Sequence, residues 1–263
     1  MKKYRFIYKS TLIESLQYVM NILLGFVTFF TILFVLLNLW KYMYSDSSNL
    51  ISGYSLQQMI WYVILTEIIW FGARNPTLTW QISNDIKSGS IAYGINKPYH
   101  YVFYILAKHL GEITINLFMY LGVGIIIGYA FIGTIPNFKL FQLPFIIVSF
   151  LMGVMIHSFI RMGISVISFW IEDSAPFQWI YDKLIIVVGI MFPVEVFPSW
   201  AQPLIKCTPI YVVTYGPAKL IIDFSWEILL QVLLVQTIYF IATLSLLFFL
   251  YQRGVKKLNV NGG

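Results

Sequence analysis

Gly89 and Gly94 stand five apart, at the G-x-x-x-x-G spacing with which a backbone loop can wrap phosphate oxygens. That chemistry needs a lysine and a hydroxyl next, to hold phosphate and magnesium, and the chain supplies Ile95 and Asn96 instead. A nucleotide site is rejected. The run Gly163-Ile164-Ser165-Val166-Ile167 imitates the turn that presents a nucleophilic serine, but it lacks the second glycine and sits inside a long apolar stretch. His100, His109 and His157 form no H-E-x-x-H pair, and a single cysteine, Cys207, leaves no internal disulfide and no multi-cysteine zinc site. No catalytic set, metal site or bound cofactor is therefore expected. What remains is a handful of ionisable groups within apolar runs: Glu67, Glu112, His157 and Arg161. Such groups are costly in hydrocarbon and mark ion paths, ion pairs or subunit contacts.

The elements that must carry these groups follow from composition. A 263-residue chain that is 59% hydrophobic, 18% aromatic and 11% charged lies outside the range of soluble domains and reads as one all-α membrane domain, residues 1–263. The net charge of +6 implies no nucleic-acid function, because lysines here serve as anchors on the cytoplasmic side of the lipid bilayer. Six stretches approach the ~20 apolar residues that a crossing needs: 21–40, 55–72, 113–132, 143–170, 177–194 and 228–251. The fifth is short and is interrupted by Asp182 and Lys183. Gly124 and Gly128 form G-x-x-x-G in the third, the pattern of a close helix contact.

Orientation follows from the basic residues. With both termini cytoplasmic, the inner flanks hold Lys2, Lys3, Arg5, Lys9, Arg74, Lys87, Lys97, Lys108, Lys183, Arg253, Lys256 and Lys257, and the outer flanks hold Lys41, Lys139, Lys206 and Lys219. The loop containing Glu172 and Asp173 is acidic, which weighs little in this rule, and Ser48 falls in an outer loop. The first apolar run is too long for the ~7–15 residue core of a cleaved signal. The residues before it mix cations with aromatics, as in a helix lying at the interface; a plain positive anchor is the alternative.

On this plan the segment Ser88, Gly89, Ser90, Ile91, Ala92, Tyr93, Gly94, Ile95, Asn96, Lys97, Pro98 belongs to the largest inner loop. It reads either as a connecting turn or as a short amphipathic element that offers Ile91, Tyr93 and Ile95 to a docking partner and stops at Pro98. After the fifth stretch, Pro193, Pro198, Pro203, Pro209 and Pro217 break the backbone into short pieces. Such pieces cannot face lipid with open backbone groups, so a re-entrant outer segment is expected, with Trp200, Tyr211 and Tyr215 at headgroup level.

Two passages carry a family resemblance. "DIKSGSIAYGINKPYHYVFYILAKHLGE" and "FPVEVFPSWAQPLIKCTPIYVVTYGPAKLIID" resemble the inner loop and the proline-punctuated outer segment of the integral membrane subunits of ABC transporters of the type 2 export class, particularly the small six-span bacterial permeases without a fused ATPase. The resemblance implies a cytoplasmic coupling helix between spans two and three, at Ser88 to Pro98. It also implies location in a bacterial cell membrane, a separate ATP-binding subunit that carries ATP and Mg, and a second permease subunit, identical or different. Substrate would then leave past the Pro193 to Pro217 segment.

The intramembrane charges stay open at this level. Arg161 lies ~14 Å from the inner end of its span, and Glu112 reaches that depth for a salt bridge only if the third helix begins near Phe103; a start at Ile113 makes Glu112 a boundary residue. His157, one turn from Arg161, can share such a network. Glu67 has no partner that can be named from sequence, so a structural hydrogen bond, a subunit contact and a proton relay all fit. A relay would suit a different class of protein, an ion-coupled carrier or channel subunit, and an adjacent ATPase gene would discriminate against it.

Overall fold

The computed structural model describes residues 2–45, 50–171 and 173–261, so Ser48 and Glu172 lie outside the described residues. Hydrocarbon offers no partner for an open N–H or C=O, and the described chain accordingly folds into helices without a strand. α1 (Lys2–Ser15) precedes α2 (Val19–Met43). On α2 the buried residues Phe29, Leu33, Leu36 and Trp40 recur at helical spacing along one face, while Val27, Phe30, Phe34 and Val35 are exposed.

α3 (Leu56–Ala73) is the central helix. It starts on a reciprocal cap in which Ser55 Oγ accepts from the Gln58 N–H and Gln58 Oε1 accepts from the Ser55 N–H. From Met59 to Ala73 every residue is buried, as expected of a helix apolar on all sides. Arg74 and Asn75 are extended and break it. α4 (Pro76–Lys87) then begins with proline in its first turn, where the missing N–H leaves no bond unmade. It ends at Gly89, whose φ of +74° is the left-handed conformation that glycine adopts most readily. The one-turn α5 (Ile91–Ile95) follows.

α6 (Tyr101–Phe131) packs along both α1 and α3. It begins twelve residues before the expected 113, because Tyr101, Val102, Ile105 and Leu106 already bury one face against neighbouring helices. The G-x-x-x-G pair is an intrachain contact with α3. A Cβ on Gly124 would lie 2.5 Å from Ile68 Cδ1, and one on Gly128 would lie 2.3 Å from the Trp61 ring. α7 (Leu143–Val166) lies against α11 (Trp226–Asn261). Between them, α8 (Ala175–Leu184) runs into a π-helical stretch, Ile185–Met191. The proline-rich segment forms α9 (Ala201–Lys206), a second π-helical stretch (Tyr211–Tyr215) and α10 (Gly216–Ile222).

Among the described residues, five helices are long and apolar enough to cross a membrane: Leu23–Met43, Leu56–Lys87, Tyr101–Phe131, Leu140–Phe169 and Trp226–Leu258. The expected fifth stretch, 177–194, falls short of this. It has ten α-helical and seven π-helical residues, roughly 25 Å at 1.5 Å per residue against a ~30 Å hydrocarbon core. Phe192 is extended and Pro193 follows, so the helix cannot lengthen at that end.

Contacts sort the loops onto two ends of the bundle. At one end, Lys3 Nζ donates to the Pro98 carbonyl, the His100 N–H donates to Tyr4 Oη at 2.9 Å, and the His100 and Tyr101 rings meet Tyr251 of α11. At the other, Tyr44 Oη donates to the Tyr54 carbonyl at 2.7 Å and Gln57 Nε2 donates to the Thr134 carbonyl at 2.7 Å.

The α3–α6 contact tolerates no side chain at Gly128. Gly128→Leu is expected to destabilise the fold by about 1–3 kcal/mol through overpacking, measured as a lower unfolding midpoint in detergent. Gly122→Ala, where a Cβ meets nothing within 4 Å, should leave the midpoint nearly unchanged.

Candidate functional site

The α4–α5 hairpin is a braced projection. Asp85 holds it from inside, accepting from Tyr101 Oη at 2.7 Å and from Ser90 Oγ at 3.2 Å, while Ser88 Oγ donates to the Asn84 carbonyl at 2.7 Å. Ile82, Ile86 and Ile91 are buried in a cluster with Val102, Ile105, Phe159 and Phe169. Ser83 Oγ lies 2.7 Å from Ser174 Oγ and accepts from Ser168 Oγ, fastening α4 to the segments flanking α7 and α8. Lys87 Nζ pairs with Asp173 at 3.3 Å. The Ala175 N–H and then Lys87 hold the Asp173 carboxyl below its ordinary pKa.

This geometry corrects part of the expected docking face. Ile91 is 1% exposed and serves as an internal anchor, because the one-turn helix places it toward the bundle, and Ile95 is half-buried. Tyr93 is 78% exposed, and Ser88, Gly89, Ala92, Asn96, Lys97 and Pro98 are open to the surroundings, while Ser90 and Gly94 are half-buried. Trp80 on α4, 68% exposed, was not marked by its sequence context.

Behind the hairpin, Asn75 joins three helices. Its Oδ1 accepts from the Leu78 N–H and caps α4. Its Nδ2 donates to Glu112 Oε2 and to His109 Nδ1, the latter at 3.2 Å. With Nδ1 accepting, His109 Nε2 is the protonated nitrogen and donates to Ser158 Oγ at 2.9 Å. Lys108 Nζ lies 3.8 Å from Glu112.

The Glu112–Arg161 pair is overturned, although α6 does begin early enough to permit it. Arg161 Nη1 instead donates to Asp182 Oδ1 at 2.6 Å, since α8 brings that carboxylate directly against α7 and Glu112 is already held by Asn75 and Lys108. Asp182, read from sequence as an interruption of a span, is the partner that makes buried Arg161 tolerable. His157 shares the neighbourhood, its Nδ1 3.1 Å from Tyr181 Oη. Gln178 Nε2 donates to the Arg161 carbonyl at 2.8 Å. Glu67 is buried, and its Oε2 has no hydrogen-bond partner among the described residues.

At the opposite end the segment from Pro193 to Pro217 packs on the core through Tyr211, Val212, Val213, Thr214 and Tyr215, all buried, and Trp200 is 74% exposed. Pro198 precedes α9, Pro203 lies in its first turn, and Pro209 and Pro217 lead into the π-helical stretch and α10. Lys219, on α10, ties this region to Tyr54, just ahead of α3. Its ammonium donates to Tyr54 Oη at 2.8 Å, pairs with Asp223 at 2.7 Å and lies 3.6 Å from Glu195, which also accepts from Tyr215 Oη. Burial, reinforced by the Glu195 charge, pushes the Tyr54 hydroxyl far above its ordinary pKa, so it stays a neutral acceptor for Lys219.

The sequence pattern of the family described as "ABC-2 family transporter protein" matches residues 26–262. The chain belongs to that family. No curated protein matches it. It is thus a multi-pass transmembrane permease, a transport component rather than an enzyme. The match covers the spans, the hairpin and the proline-rich segment of the permease, and α1 lies before it.

The buried ion pair of this permease generates a prediction. Arg161→Leu and Asp182→Leu should each destabilise by about 3–5 kcal/mol, because each leaves a buried charge unpaired. The double variant should be markedly less unstable than the sum of the two. Unfolding midpoints in detergent check this, and strict additivity would remove the pair from the account.

Proposed function

We propose that the permease forms half of the substrate path of an ATP-driven exporter and takes its energy at the α4–α5 hairpin from a separate ATPase subunit. In this reading α5 is the coupling helix and the partner binds ATP and Mg. A second permease subunit, identical or different, completes the path in a bacterial cell membrane. The observation that carries the reading is the hairpin itself. A rigid, internally hydrogen-bonded tip presents Tyr93 and Trp80 uncovered, as a groove on a partner would require.

The segment Ala175–Met191 is read as the sixth crossing, the fifth in chain order. It starts beside Asp173, which pairs with Lys87, and leads to Glu195, which lies at the opposite end beside Lys219. Both termini are placed in the cytoplasm on the distribution of lysine and arginine. The stretch Pro193 to Pro217 is read as a re-entrant outer segment at the exit, supported by its short buried helices.

Tyr93→Asp is expected to leave the permease inserted and folded but to abolish co-purification of an ATPase and transport, since an unpaired charge in an interface core costs several kcal/mol. Ile91→Asp is not a clean probe, because Ile91 is internal. Lys139→Gln, exposed at the opposite end, is the control. Should Tyr93→Asp and Trp80→Asp both retain full ATPase association and transport, the hairpin is a connector only. An ion-coupled carrier would then gain support from Glu67, a buried carboxylate with an unpartnered oxygen.

Topology has its own test in introduced thiols. In a Cys207→Ser background, a membrane-impermeant maleimide on intact cells should label a cysteine placed at Lys139, exposed at the end opposite the hairpin, and should not label one placed at Ser88. The reverse pattern would invert the orientation.

A further inference from the structure

A cavity of about 810 Å³ opens between α1, the start of α2, the α3–α4 joint and α6, within the ~300–1,000 Å³ range of small-molecule sites. Along α6 it is lined by Lys108, Glu112, Asn116 and Tyr120. Their spacing of four puts them on one face, over roughly 18 Å of helix. The lining changes character along that face. Lys108 and Glu112 give it a charged end, Glu14 standing near Glu112, while Arg74 stands within reach of Tyr120. At the other end Gly25 and Tyr120 meet, a Cβ on Gly25 falling 2.3 Å from Tyr120 Oη, and the Phe71 ring lies tilted against Tyr120 with ring centroids 5.4 Å apart.

The four charges are not equally matched. Glu112 accepts from Asn75 and lies 3.8 Å from Lys108, and Lys108 donates to Gln81 Oε1 at 2.8 Å. Arg74 and Glu14 form no ion pair among the described residues. Arg74 only lies over the Trp70 ring, 5.9 Å from its centroid. One cation and one anion, both exposed and on different walls, thus have no charged partner among the described residues of the cavity.

We propose that this cavity binds one amphiphile whose headgroup carries both a phosphate and an ammonium. The phosphate lies on Arg74, the ammonium on Glu14, and the apolar part runs past Asn116 toward Tyr120 and Phe71. An anionic headgroup without the ammonium would put a phosphate against Glu14 and be rejected. A wholly apolar ligand would leave both charges desolvated and unpaired. The length of the lined face suits a headgroup and the first part of an acyl chain. The proposal needs only the membrane setting of the permease and not the docking of an ATPase, so loss or survival of the Tyr93 prediction does not bear on it.

Retention of lipid by the full-length purified permease tests the site, read by native mass spectrometry from mixed micelles of phosphatidylethanolamine and phosphatidylglycerol. Phosphatidylethanolamine should be retained about tenfold more strongly, and Arg74→Gln or Glu14→Gln should each weaken its retention about tenfold, the worth of one charge-assisted contact. Glu14→Gln should in addition erase the preference over phosphatidylglycerol. Arg74→Lys and Glu14→Asp, which keep the charges, should retain the lipid and guard against a folding defect, and Lys139→Gln should change nothing. Soluble phosphoethanolamine in excess distinguishes the sources of the headgroup: displacement assigns the site to a free zwitterion, and failure to displace assigns it to a bilayer lipid. Equal retention of both lipids, indifference to both charge removals, or a cross-link from a cysteine at Glu14 to a second copy filling the cavity would overturn the proposal.

Discussion

The Asn75 side chain is the joint on which the arrangement depends. Helix α3 cannot run on through Pro76, which has no N–H to give, and the chain turns at Arg74 and Asn75. All three side-chain bonds of Asn75 are used in the turn: one accepted from Leu78, and two donated, to His109 and to Glu112. The site is buried, so each bond left unmade would cost about 1–3 kcal/mol. The direction of α4 is therefore locked to α6 and, through His109 and Ser158, to α7. Both the exposed tip of the hairpin and the cavity inherit their geometry from that lock, since Asn75 is the root of the one and a wall of the other.

Burial of charge does comparable work elsewhere. Ala175–Met191 is too short and too widened by π-turns to be held by apolar packing along a full bilayer thickness. It is fixed at Asp182 by Arg161 and at the Gly189 carbonyl by Tyr62 Oη, 2.8 Å away. Gly189 is needed there, because a Cβ would fall 2.3 Å from Thr214 Oγ1 of the second π-helical stretch. Lys219 fastens the following segment to Tyr54, Asp223 and Glu195. Two π-helical stretches packed on one another, with polar ties at both ends, are the irregular part of an otherwise regular bundle. Irregular backbone at membrane depth is tolerated where protein covers it.

The hairpin and α1 are mechanically joined. Lys3 and Tyr4 bond to the backbone at Pro98 and His100, just beyond α5, and α1 in turn forms one wall of the cavity. A displacement of the hairpin would thus be transmitted to that wall through two direct hydrogen bonds rather than through lipid.

Composition and periodicity were enough to establish an all-α membrane protein and its long crossings, because these depend on local hydrophobicity, and two passages of sequence carried the family resemblance. Partnership was decided only by tertiary structure. Arg161 had Glu112 at a suitable depth, yet depth fixes a coordinate along the membrane normal and says nothing of which helix stands alongside; α8 stood there and brought Asp182. Likewise Ile91, Tyr93 and Ile95 are equivalent as apolar residues in a short amphipathic turn. The rotation of α5 about its axis, set by Asp85 and Tyr101 from α4 and α6, buried the first and left the second outside.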